Sequence, residues 1–141
     1  MLPTERTLAI IKPDAVKRHL MGEVIQRYEQ AGFRIVAVKM VRLTKDEAKR
    51  FYAVHRERNF FEGLVNFISE GAIAVMVLEG EKVIQRHRDL MGATDPKKAD
   101  PGTIRRDLGT DIEHNVVHGS DSPESAKVEI PFFFTSQEII D

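Results

Sequence analysis

The sequence predicts one α/β domain of about four strands. Three observations predict it. Short β-branched apolar runs alternate with stretches whose apolar residues recur at helical spacing, the connections between runs are too long for hairpins, and no repeat, low-complexity tract or linker interrupts residues 1–141. Long crossovers of this kind favour a split βαβ sheet.

Thr7-Leu-Ala-Ile-Ile-Lys12 halts at Lys12-Pro13-Asp14, because proline has no N–H for a ladder, and reads as a buried strand ending in a functional loop. Met21–Ala31 carries Val24, Ile25 and Tyr28 at helical spacing and stops at Gly32, which tolerates the left-handed conformation. Phe33–Leu43 is a second β-branched strand. Thr44-Lys-Asp-Glu47 matches a capping box, in which threonine and glutamate each satisfy a backbone N–H at the helix start. The stripe Ala48, Phe51, Tyr52, His55 then breaks around Arg58-Asn59 and resumes as Phe61, Leu64, Val65, Ile68, which predicts a helical hairpin. Gly71 and Gly80 bracket a third strand, Ala72–Leu78, and Val83, Ile84, His87 and Met91 mark a helix ending near Gly92. Ala93–Val117 is a long, weakly patterned loop in which only Thr103–Leu108 could form a turn or two of helix; loops of this length in compact domains usually carry function. Ser122-Pro123-Glu124 reads as N-cap, first-position proline and first-turn acid. Pro131 is expected to close that helix and Phe132–Phe134 to form the fourth strand.

Composition removes several classes of function. Lys and Arg total 21 against 22 Asp and Glu, a net charge of −1, which argues against a general nucleic-acid binder. Without cysteine there are no disulfides, thiolate zinc sites or cysteine nucleophiles, so the five histidines come first as covalent catalysts. The longest uncharged apolar run, Ala72–Leu78, is far short of the ~20 residues that span a bilayer. Residues 1–6 hold no apolar signal core, and the expected location is the cytoplasm.

The chemistry concentrates at Asn115-Val-Val-His118-Gly-Ser-Asp-Ser122, where a histidine precedes a glycine just ahead of a helix N-terminus that favours an anion. A histidine there can attack phosphorus or act as a base if another group holds its second ring nitrogen. Glu129 is the candidate for that task, with Ser120 as a bridge. The alternative is a loop histidine beside a helix-capping serine, and the segment alone does not separate the two. His114 and His118 have metal-pair spacing on a helix, but the segment between them is β-branched and no third ligand stands out. His19, His55 and His87 stand singly and read as surface or packing residues.

Neither the Gly-x-x-x-x-Gly-Lys-Ser/Thr loop nor Gly-x-Gly-x-x-Gly is present, so any polyphosphate must be held by scattered side chains. Lys12, Arg88, Thr94 and Arg105 are candidates, against the alternative that the arginines are merely solvated. Phe60 lies off the apolar stripe and could stack on a base; Phe61 lies on it and reads as core, and Phe51 and Phe132–Phe134 as core or subunit interface.

Taken with Thr7–Val16, the segment 115–122 makes the chain closely resemble the nucleoside diphosphate kinase family. The likeness extends through Phe51-Tyr52, Phe60-Phe61-Glu-Gly-Leu64-Val65, Val77-Leu-Glu-Gly80, Arg88 through Pro96 and Pro101-Gly-Thr-Ile-Arg105. It implies a ferredoxin-like βαββαβ fold, a four-stranded antiparallel sheet with helices packed on it and a long loop before the histidine strand. It implies ping-pong transfer of a γ-phosphate from a nucleoside triphosphate to a diphosphate through a phosphohistidine at His118. By the same carry-over, Glu129 and Ser120 orient His118 and Tyr52 sits by its ring. Lys12, Arg88, Thr94, Arg105 and Asn115 hold phosphates and ribose, and Phe60, Leu64 and Ile112 bound the base. Mg²⁺ is expected on the nucleotide's phosphates with few or no protein ligands. A base held by stacking predicts broad base specificity. A homo-oligomer, hexamer or tetramer, is expected, with no obligatory nucleic acid and no membrane. Asn59 and Ala72 stand where the family commonly has proline, and Arg106 where it commonly has glycine. Loosening of the hairpin tip and crowding of the phosphate site are the expected consequences.

Overall fold

The computed structural model describes residues 4–140. Four strands, β1 (Thr4–Ile11), β2 (Arg34–Val41), β3 (Ile73–Glu81) and β4 (Val117–Gly119), form one sheet in the order β2-β3-β1-β4 with every neighbouring pair antiparallel. The central strands β1 and β3 are apolar on both faces because helices cover both. Leu8, Ile10, Val75 and Val77 join one core with Tyr52, Val65, Ile68 and Phe133. The alternate residues Ala9, Ile11, Ala74, Met76 and Leu78 join a second core with Val24, Tyr28, Met91 and Ile104. The first core packs α3 (Lys45–Phe51), α4 (Phe61–Ile68) and α7 (Pro123–Phe133) on the sheet. The second packs α1 (Pro13–Lys17), α2 (Met21–Gln30), α5 (Val83–Met91) and α6 (Ile104–Leu108).

Local chemistry explains the helix boundaries. Thr44 and Glu47 form the capping box at the start of α3, with Thr44 Oγ1 accepting from Glu47 N at 3.1 Å and Glu47 Oε1 accepting from Thr44 N at 2.9 Å. Ser122 Oγ accepts from Ser125 N at 3.1 Å at the start of α7, so the N–H expected to attract an anion is already occupied by the cap. Gly92, at φ 84°, ends α5 where a side chain would collide with Thr103.

Two expectations are corrected. Lys12-Pro13-Asp14 is not a loop: Pro13 ends β1 as expected, but it also supplies the preset φ of a first helical residue and opens α1. Phe132–Phe134 is not the fourth strand, and Pro131 does not close the helix. Residues 132 and 133 continue α7 through Pro131, and the fourth strand is Val117–Gly119. An interior proline costs about 3 kcal/mol. Burying Phe133 and Phe134 returns roughly 1.5–3 kcal/mol each, so packing decides the conformation. The rings of Phe132 and Phe133 each lie 5.3 Å from that of Phe51.

Candidate active site

β4 pairs with the last residues of β1, Ile10 opposite His118 and Ile11 opposite Val117, so Lys12 follows directly beside the residues preceding β4. Lys12 N donates to Val116 O at 2.8 Å, and Lys12 Nζ donates to Asn115 Oδ1 at 2.8 Å. Asn115 Nδ2 in turn donates to Thr94 O at 3.0 Å, which ties the long loop to the sheet. Lys12 and Asn115 are both buried. Burial, and next the nearby Arg105 cation, hold the Lys12 amine down at about 8, with Asp14 and Glu113 opposing.

Between Asn115 and His118 the backbone does something that β-branched residues rarely do. Val116 is fully buried at φ 77°, and Val117 N donates to Asn115 O at 2.9 Å, closing a γ-turn around it. Such backbone costs about 1–3 kcal/mol unless its surroundings hold it. Here they do. Asp14 Oδ2 accepts from Val116 N at 3.1 Å, and Arg105 donates to Val117 O at 2.8 Å, Gly92 O at 3.0 Å and Asn115 O at 3.4 Å. Burial pushes the Asp14 carboxyl above the usual carboxylate range. Arg105 thus commits three of its five N–H groups to carbonyls around the turn, leaving two. Burial lowers its guanidinium to about 10.

The turn delivers His118 with its side chain on the α7 face of the sheet. His118 Nε2 lies 3.0 Å from Glu129 Oε1, and Ser120 Oγ donates to the same oxygen at 2.9 Å. Ser120 is fully buried and also extends the ladder, accepting from Leu8 N at 3.2 Å and donating its own N–H to Leu8 O at 3.1 Å. An ionised carboxylate only accepts, so Glu129 favours the tautomer protonated at Nε2. His118 Nδ1 has no hydrogen-bond partner among the described residues.

Phe51, expected as core or interface, stands edge-on to His118 with centroids 5.5 Å apart. Tyr52 is buried beside Phe51, and burial raises its hydroxyl well above the usual phenol range. From there the rings continue through His55 to Phe60, at 6.4 and 5.6 Å. Phe60 caps the start of α4 and is half exposed, with Leu64 one turn along. The opposite wall is the segment 110–115: the His114 ring lies 4.9 Å from that of Phe67, and Glu113 approaches Gly63. Ile112 projects from that segment into solvent. The fold therefore brings the residues expected to bound a base onto two facing elements.

Arg88, in the last turn of α5, and Thr94, in the loop that follows, are exposed, and the Arg88 side chain makes no hydrogen bond among the described residues. Arg106 does not crowd the phosphate candidates; its Nη1 donates to Lys97 O at 3.1 Å and Ala99 O at 3.3 Å, stapling the loop. His114 bonds Asp111, not a metal partner, and no group of three or more His, Cys, Asp or Glu that could hold a metal occurs among the described residues.

The sequence profile described as nucleoside diphosphate kinase matches residues 5–139. The chain belongs to the nucleoside diphosphate kinase family. It is 58% identical over 130 residues, 92% of each chain, to the nucleoside diphosphate kinase of Bordetella pertussis, and 59% identical over 136 residues to that of Desulforapulum autotrophicum, covering 96% of this chain and 99% of that one. The solved structure of the Aquifex aeolicus nucleoside diphosphate kinase superposes with a TM-score of 0.96 at 48% identity, over 98% of this chain and all of that one. A Halobacterium salinarum nucleoside diphosphate kinase in complex with CDP gives 0.94 at 42% identity, over 99% and 93%. Members of the family are phosphotransferases, and kinases of this kind generally use a divalent metal. The family's ferredoxin-like fold is the sheet described above. In this chain the shortest strand, β4, carries His118 at the edge of the sheet farthest from β2.

Proposed function

We propose that residues 1–141 act as one nucleoside diphosphate kinase domain that exchanges a γ-phosphate by a ping-pong mechanism through His118. The observation that carries the reading is the His118 ring, with Nε2 tied to Glu129 and Nδ1 open. The Nδ1 lone pair forms the N–P bond as the bridging O–P bond breaks, and the electron pair leaves on the diphosphate. Positive charge developing on the imidazole is met by the Glu129 carboxylate, itself held by Ser120. A second diphosphate then reverses the step.

Lys12, Arg88, Thr94, the two remaining N–H groups of Arg105 and Asn115 hold phosphates and ribose, because the transferred group spreads negative charge over its oxygens. Tyr52 backs the ring line beside His118. Phe60 and Leu64 face Ile112 around the base, and stacking without base-edge contacts supports broad use of purines and pyrimidines and a role in maintaining NTP and dNTP pools. The CDP complex of the Halobacterium salinarum relative supports a nucleotide in this cleft. Mg²⁺ would sit on the nucleotide's phosphate oxygens and share the neutralisation of their charge with Lys12, Arg88 and Arg105. A homo-oligomer, hexamer or tetramer, is supported by the edge strand β2, where Val38 and Met40 are 55% and 50% exposed. No helix is long and apolar enough to cross a membrane among the described residues, and we assign the protein to the cytoplasm.

The test is a pulse and chase. The purified protein should take label from γ-labelled ATP onto His118 and yield it to several unlabelled diphosphates. Label on another residue, or label that cannot be chased, refutes the mechanism.

A further inference from the structure

One buried titratable group beside the nucleophile has no part in the chemistry above. His87, on α5, is fully buried, and its ring lies on the opposite face of β4 from the His118 side chain. Alternation along the strand sends His118 towards Phe51 and Glu129 and turns Gly119 towards α5. A Cβ on Gly119 would lie 2.5 Å from His87 Nδ1, 2.6 Å from its Cε1 and 2.8 Å from the Met91 Cε. The imidazole occupies the space a side chain at 119 would need, so the main chain of the residue next to the nucleophile rests on it.

The ring is held in that place. His87 Nε2 is 2.9 Å from the Tyr28 hydroxyl, and the rings of Tyr28 and Phe33 stand edge-on to it with centroids 5.0 and 6.3 Å away. Its Nδ1 has no hydrogen-bond partner, an orphaned polar atom that a core tuned only for stability would replace with carbon. Burial, together with the nearby His118, Arg105 and Arg88, holds the ring neutral down to about 3, so it adds no charge behind the nucleophile.

We infer that His87 is a positioning residue for the phosphoryl-transfer step: tethered by Tyr28 and seated beneath Gly119, it sets the height of β4 and hence the line of attack of His118. The inference rests on His118 being the nucleophile. Removing the ring lets the strand settle, and a displacement of ~1 Å can cost ~100-fold in rate without loss of substrate contacts.

The experiment measures single-turnover phosphorylation by Mg·ATP, with mass spectrometry of the labelled peptide and circular dichroism to confirm folding. Absence of label at His118 in the unaltered protein overturns the functional reading itself, and this inference with it. Given normal labelling, folded His87→Ala should lose roughly 10- to 100-fold in the limiting rate while half-saturation by ATP stays within about twofold. Tyr28→Phe, which removes one oxygen and tests the tether if His87→Ala does not fold, should lose a smaller factor of about 3–10 in the same parameter. Gly119→Ala should be slower still, and the Gly119→Ala/His87→Ala pair should recover at least about tenfold over Gly119→Ala alone, a coupling that independent sites do not show. A limiting rate within twofold of normal in folded His87→Ala or in Tyr28→Phe overturns the inference. So does a double variant no faster than Gly119→Ala, or a loss expressed in half-saturation alone.

Discussion

At the proposed phosphate end of the cleft, Lys12, Asn115 and Ser120 are buried, and each is fixed by hydrogen bonds that reach across the sequence to other elements. At the proposed base end, Phe60 and Ile112 are 49% and 60% exposed, and the Phe60 side chain packs against the His55 ring. Directional bonds demand one geometry; apolar faces accept many. Under the proposed function, the contrast separates a place where atoms must be aligned for bond exchange from a place where a nucleobase need only lie flat.

The sharpest break of the phosphate end is His118→Ala, which should reduce transfer to background while fluorescent-nucleotide titration shows affinity largely kept. Loss of affinity together with transfer would mean that the ring serves binding. Next is Glu129→Gln, whose amide can donate to Nε2 and select the wrong tautomer. A loss of roughly 10²–10⁴-fold in the phosphorylation rate is expected, by analogy with carboxylate-to-amide changes beside catalytic histidines. Nitrogen-15 spectra of the ring should show the proton moved to Nδ1.

Lys12 offers a pH test. The free protein should lose nucleotide affinity as pH rises through about 8, where the amine discharges. Stability should move the other way. A lysine whose folded value lies at about 8 and whose ordinary value is 10.5 destabilises the fold below 8, and that penalty fades between 8 and 10.5 because the unfolded chain then binds more protons. Lys12→Met should flatten both limbs, tested by kcat/KM and Tm across that window. The smallest effect belongs to the base end. Phe60→Ala should cost about 1–3 kcal/mol of stacking, seen in KM, with the ranking of bases unchanged. A change in ranking would show that the wall reads bases rather than merely accepting them.

Much of this contrast was legible in the residues. Thr44 and Glu47 announce their helix because a capping box is local, and Ser122-Pro123 does the same for α7. Leu8 through Ile11 announce a doubly covered strand because burial on both faces leaves no polar alternation. Val116 gave no such sign. Its β-branched side chain argues for extended backbone, and its γ-turn is imposed by Asp14 and Arg105 from elsewhere in the chain. Phe132 and Phe133 misled for a similar reason, since aromatic packing on Phe51 overrides the helix-breaking habit of Pro131. Phe51 reads as core or subunit interface and His87 as a surface or packing residue; the structure packs Phe51 partly buried against the core and buries His87 fully, and that each also faces the His118 strand is visible only once distant segments meet.

The γ-turn at Val116 bears on when the His118 strand takes its setting as the protein folds. A single buried residue in a disfavoured conformation has one hydrogen bond between its immediate neighbours and is otherwise held by partners up to 102 positions away. Contacts of that separation form late, after local helices and hairpins, because loop closure opposes them. Until they form, the backbone that places His118 beside Glu129 lacks its restraints from Asp14 and Arg105. The strand that carries His118 therefore takes its final setting with the closure of the sheet rather than from its own sequence.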